Sequence, residues 1–122
     1  MKEELSYGSV KISREVIAVI AGIAAQEVEG VARVGESLSS FIKFVSGIPI
    51  GRGLKVELLD KDVYIKIPIY VKQNVFFPDI ARDVQNHVKE VVESMTGLNV
   101  REVNVIIKGV ILGKKGEEDK AK

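Results

Sequence analysis

Few side chains in this sequence could do proton-transfer or covalent chemistry, and their spacing does not favour it. There is one histidine, His87, and no cysteine. A lone imidazole can act as a general base, but the usual local signature of an activated nucleophile is missing around it. Without thiolates, the familiar zinc spacings cannot be assembled, and thiol nucleophiles and disulfides are excluded. His87 falls one helical turn from Val84 and Val91, at the margin of an apolar stripe, so a boundary histidine with an exposed ring nitrogen is the simpler reading.

The glycine-rich stretches are equally weak signals. Gly47-Ile48-Pro49-Ile50-Gly51-Arg52-Gly53 resembles a phosphate-cradling loop, but it lacks the Lys and Ser/Thr after the last glycine and leads into a strand rather than a helix. Gly113-Lys114-Lys115-Gly116 matches the bare GxxG of KH domains, where that loop joins two helices. Here it opens a charged tail. Glu3-Glu4 and Glu117-Glu118 fall in terminal stretches, and Asp60 and Asp62 belong to a turn that solvation explains. None of these groups converges on a common point. The sequence therefore predicts no catalytic residue, no metal site and no cofactor, and the chain is expected not to be an enzyme.

Composition narrows the classes further. A chain of 122 residues is long enough for one core but not two. Apolar residues make up 46% and charged residues 29%, the balance of an ordinary globular domain. With 18 basic against 17 acidic side chains there is no strong field for a polyanion, which speaks against a dedicated DNA binder. The longest apolar run, residues 16–25, is about half of the roughly 20 residues a membrane span requires, and Met1-Lys2-Glu3-Glu4 is too charged for a secretory signal. A soluble, cytoplasmic protein is the expectation. One domain should occupy residues 1–112, followed by a charged, disordered tail at 113–122 that lacks apolar anchors.

The elements that would position any site can be read from periodicity. Val10 and Ile12 alternate with polar neighbours as a short strand. Ser13 is a suitable N-cap, and Val16, Ile17, Ile20, Ile23, Ala24 and Val28 then follow helical spacing up to a stop at Gly30. The other flank, Ala18, Gly22 and Ala25, is small enough for another element to approach closely. Residues 31–34 suit a short strand. Leu54, Val56 and Leu58, then Val63, Ile65, Ile67, Ile69 and Val71, alternate as two strands joined by a turn at residues 60–62. Pro68 cannot donate a ladder hydrogen bond and so predicts an edge or a bulge. Pro78 opens a long helix with Ile80, Val84, Val88, Val91 and Met95 on one face, ending at Gly97. Val103, Val105 and Ile107 form the last strand. The predicted fold is α+β: two main helices on one face of a mostly antiparallel sheet, in the order β-α-β, loop, β-β-α-β, with a ferredoxin-like arrangement as one topology this permits.

Two surfaces could bind partners. If the helices cover the odd-numbered face of the 63–71 strand, Tyr64, Lys66, Tyr70 and Lys72 lie on the open reverse face. Aromatic rings interleaved with lysines suit single-stranded RNA, although the RRM motif itself is absent and such residues also decorate ordinary wet strands. The second surface is Leu38, Phe41, Phe44 and Val45, in a long connection at residues 36–52 that either folds back onto the core or presents a docking face.

Taken together, certain blocks resemble a known family. Gly8-Ser9-Val10-Lys11-Ile12-Ser13, Ala24-Ala25-Gln26-Glu27-Val28-Glu29-Gly30-Val31, Gly53-Leu54-Lys55-Val56, Pro78-Asp79-Ile80-Ala81, Met95-Thr96-Gly97-Leu98 and Val103-Asn104-Val105 are similar, in order and spacing, to the alkaline-shock (Gls-type) envelope stress response proteins of Gram-positive bacteria. The resemblance implies a non-enzymatic protein of cell-envelope homeostasis. It also implies protein partners, among them a membrane-anchoring protein that would hold the chain at the membrane periphery, and self-association into a homo-oligomer. It carries no catalytic or ligand residues.

Overall fold

The computed structural model describes residues 2–5, 7–35 and 53–112. The predicted surface at Leu38, Phe41, Phe44 and Val45, the glycine-rich loop up to Arg52 and the tail at 113–122 lie outside the described residues.

The elements run β1 (Lys2–Leu5), β2 (Gly8–Lys11), α1 (Arg14–Gln26), β3 (Val31–Val34), β4 (Lys55–Leu59), β5 (Asp62–Lys72), α2 (Phe77–Thr96) and β6 (Asn99–Ile111). The sequence gives little sign of β1, because Lys2-Glu3-Glu4 has neither alternation nor β-branched residues. Among the described residues it pairs only with β2, in a two-stranded ribbon separate from the main sheet. The first strand of a ferredoxin-like order is therefore not part of the main sheet.

That main sheet is built around β5. Along one side β6 runs parallel to it, with α2 as the crossover connection that a parallel pair requires. Along the other side β3 and β4 lie end to end, both antiparallel to β5. Val34 pairs with Ile69, and Lys55 pairs with Lys66. Between them Gly35 N–H donates to the Pro68 carbonyl at 2.8 Å. Because N and O of one strand residue point to the same side, the Pro68 nitrogen faces the junction between β3 and β4, past the last ladder pair of β3. The proline is thus accommodated in a central strand and not at an edge, with a register shift between Ile69 and Tyr70 against β6 beside it.

Val63, Ile65, Ile67, Ile69 and Val71 are fully or almost fully buried and form one core with Ile17, Ala21, Ala24 and Ala25 of α1 and Ile80, Val84, Val88 and Val92 of α2. Both helices therefore lie on one face of the sheet. In α1 the buried residues are Ile17, Ala21, Gly22, Ala24 and Ala25, while Val16 and Ile23 are 49% and 40% exposed. Of the stripe predicted as the core face, Ile17, Ala24 and Val28 are buried and Ile20 packs against the core, whereas Val16 and Ile23 turn outward and the small residues Ala21, Gly22 and Ala25 pack inward.

The helix ends differ from expectation too. Ser13 caps α1 as predicted, its hydroxyl accepting from Val16 N–H at 3.2 Å. The helix closes at Glu27, not Gly30, with the Glu27 N–H shared among Ile23, Ala24 and Ala25 carbonyls. Gly30 instead turns the chain into β3 at φ +101°, directly beneath Ile80, where a Cβ would overlap that side chain. At the end of α2, Gly97 takes the left-handed conformation and the buried Thr96 hydroxyl donates to Val92 O at 2.7 Å and accepts from Leu98 N–H at 3.1 Å.

Candidate functional site

Alternation in β5 places Tyr64, Lys66, Tyr70 and Lys72 on the face opposite both helices. Lys66 and Lys72 are exposed, Tyr64 and Tyr70 half-buried, and Pro68 between them buried. Cross-strand register fixes their neighbours. Tyr64 lies between Glu57 of β4 and Glu102 of β6, Lys66 between Lys55 and Asn104, and Tyr70 between Arg33 of β3 and Gly109 of β6. A hollow of about 390 Å³ is lined by Lys55, Glu57, Tyr64, Lys66, Glu102 and Asn104, among others. The Tyr70 ring lies against Gly109: a Cβ there would come within 3.1 Å of its Cε2.

The face is thus amphoteric. Around Tyr64 two carboxylates stand at the same level as the ring, whereas the Tyr70 end carries Arg33 and Lys72. Such a surface can make paired charge contacts and aromatic packing with a protein. It is poorly suited to a phosphate backbone along its whole length, because Glu57 and Glu102 would repel it.

His87 falls at the boundary, as its position predicts. Its Nε2 lies 2.8 Å from Glu27 Oε1, joining α2 to the end of α1, with the His87 side chain 36% exposed. Glu27, Val28, Asp83, Asn86 and Glu90 line the shallow hollow around it, so carboxylates surround the imidazole and, among the described residues, no hydroxyl or amine lines that hollow. Among the described residues no group of three His, Asp or Glu side chains is arranged to hold a metal ion.

The resolved electrostatic effect lies elsewhere. Glu93 of α2 accepts from Lys89 Nζ at 2.8 Å and from Val100 N–H at 2.9 Å, while Lys89 also donates to Val100 O at 3.1 Å. The Lys89 hydrogen bond, then the Val100 N–H, hold the Glu93 carboxyl below its ordinary value, against a smaller opposing effect of burial. This clamp ties α2 to the start of β6 and is structural.

Sequence reasoning passed over Phe76 and Phe77, which are 66% and 39% exposed at the entry to α2. The signal was present: two phenylalanines directly before Pro78, outside the helical apolar period.

Comparison with known proteins settles the family. The family model of alkaline-shock protein 23, described as having a cell envelope-related function, matches residues 2–112. The chain belongs to this alkaline-shock family. Among its relatives, YqhY of Bacillus subtilis (strain 168) is 36% identical over 117 residues, covering 95% of this chain and 87% of that protein. YloU of the same organism is 31% identical over 107 residues, covering 85% and 89%. Both are described as uncharacterized proteins. The MamM CTD has a similar fold, with a TM-score of 0.50 at 16% identity, covering 80% of this alkaline-shock family chain and 99% of the MamM domain. No helix among the described residues is long and apolar enough to cross a membrane.

Proposed function

We propose that this chain is a non-enzymatic interaction module of the cell envelope. It acts through the open face of its sheet on a protein partner, such as a membrane-anchoring protein, or on another copy of itself. The observation that carries this reading is the division of β5. Its odd-numbered residues are consumed by the core, while Tyr64, Lys66, Tyr70 and Lys72 stay on a face that neither helix covers. Family membership supplies the envelope setting.

The test is in-cell crosslinking from this face, with the protein carrying Lys66→Glu and Lys72→Glu as the comparison. Loss of crosslinks to envelope-fraction proteins and to other copies, with unchanged melting, supports the reading. An unchanged crosslink pattern removes this face. The predicted surface at Leu38, Phe41, Phe44 and Val45 is tested in parallel by Phe41→Asp and Phe44→Asp, which weaken the same associations if it contributes. Single-stranded RNA is the second reading of the open face, favoured by Tyr70 beside Arg33 and Lys72. It predicts salt-sensitive oligonucleotide binding that Tyr64→Ala and Tyr70→Ala abolish, and lack of binding at low salt excludes it.

A further inference from the structure

The end of the molecule where β5 and β6 finish carries apolar side chains that the fold does not need. Lys72 pairs with Ile111 and Val71 with Val110 at the last rungs of the sheet. Beyond them Leu112 is 73% exposed, and Val110 is 39% exposed. From the same end the chain turns through Asn74, at φ 63°, and enters α2 at Phe76.

Phe76 is the N-cap of α2 and makes no side-chain cap. Ser, Thr, Asp or Asn there would satisfy an orphan N–H, so the sequence forgoes a stabilising hydrogen bond at this position. The apolar task of a helix entry is already met. Val75 and Ile80 occupy the positions of a hydrophobic staple: Ile80 belongs to the core and Val75 packs against it. The Phe76 ring therefore neither caps nor staples, and it stands in solvent beside Phe77.

Charge at this end is biased. Lys72 and Lys108 are exposed and Arg33 is half-buried, against Glu29, while Asp79 is held by Arg82 at 3.0 Å. The acidic residues Glu57, Asp62 and Glu102 sit toward the opposite end of β5.

We infer that this end docks directly on an anionic lipid surface, with Phe76, Phe77 and Leu112 entering the interfacial region and Lys72 and Lys108 facing the headgroups. The apolar side chains come from two separate segments, the loop before α2 and the end of β6. A bilayer accepts such isolated protruding side chains without a complementary groove, and lysines beside them add attraction to anionic headgroups. The inference goes beyond the protein-binding reading of the open face and does not depend on it.

The test is co-sedimentation of the full chain with vesicles of phosphatidylglycerol and phosphatidylcholine in equal parts, and with phosphatidylcholine alone. The wild-type chain should bind the mixed vesicles, bind the neutral ones far more weakly, and release as salt rises from roughly 0.1 M to roughly 1 M. Phe76→Ser should reduce binding by about tenfold. Its melting temperature should be equal or higher, because serine supplies the missing cap, so a folding defect cannot mimic the loss. Leu112→Ser should act in the same direction, and Lys72→Glu should weaken binding to the anionic vesicles selectively. A wild-type chain that ignores anionic vesicles overturns the inference, as does full binding by Phe76→Ser. Binding of a purified protein that Phe76→Ser abolishes, in a chain with no vesicle affinity, would assign this end to a protein groove instead.

Discussion

The two faces of β5 put the same backbone to opposite uses. On the helix side, Val63, Ile65, Ile67, Ile69 and Val71 are at most 1% exposed and determine whether the chain folds. On the reverse side, Lys66 and Lys72 are exposed and Tyr64 and Tyr70 half-buried, and none of the four belongs to the core. Strand alternation, with its period of two, makes this separation possible within eleven residues. The contrast teaches that the proposed contact face can be altered with little effect on stability, one residue away from positions that decide it.

The largest effect should come from the inner face. Ile67→Ala removes a fully buried side chain and should cost about 3–4 kcal/mol, whereas Lys66→Ala beside it should change stability by less than about 0.5 kcal/mol. Urea unfolding midpoints of the pair measure the contrast directly. Equal losses would mean that the outer face also carries the fold.

Gly30→Ala comes next. A positive φ and overlap with Ile80 together should destabilise by about 2 kcal/mol. That would show the α1–β3 turn to be set by packing from α2.

A smaller, pH-dependent effect belongs to Glu93. Its carboxyl is held below the ordinary range in the folded protein, so its contribution is present above the unfolded-state pKa and fades as pH falls through the folded-state value. Glu93→Gln should cost about 1 kcal/mol at neutral pH, moderated by partial exposure, and much less in acid. Thermal melts of both proteins across that range check the sign. A gap that widens on acidification would contradict the assigned clamp.

Much of this was legible in the sequence because α2 and the long strands have strong periodicity. The period-two run from Val63 to Val71 located the core face and, by subtraction, the open one. Ser13, Pro78 and Gly97 marked helix ends through local chemistry that does not depend on tertiary context. Other features depended on neighbours that a linear pattern does not show. α1 is apolar nearly all round, so only its packing against α2 and the sheet decides that Ala21 and Ala25 go inward while Val16 and Ile23 do not. Pro68 sits in a central strand because two partner strands meet opposite it, which no local rule reveals. The open-face tyrosines were found, but the carboxylates flanking Tyr64 come from β4 and β6 and appear only with the register. Phe76 was overlooked because an apolar residue before a helix is ordinarily a staple, and Val75 already fills that role.

The most direct measurement is one sample pair carried through two readouts: the wild-type chain and its Lys66→Glu, Lys72→Glu variant, followed by thermal melting and by association with the crosslinked partner or with itself. Melting within about 2 °C of wild type, together with at least about a tenfold weaker association, is the expected result. Association at wild-type strength in a folded variant would contradict the account, because the outer face of β5 would then have no part in binding.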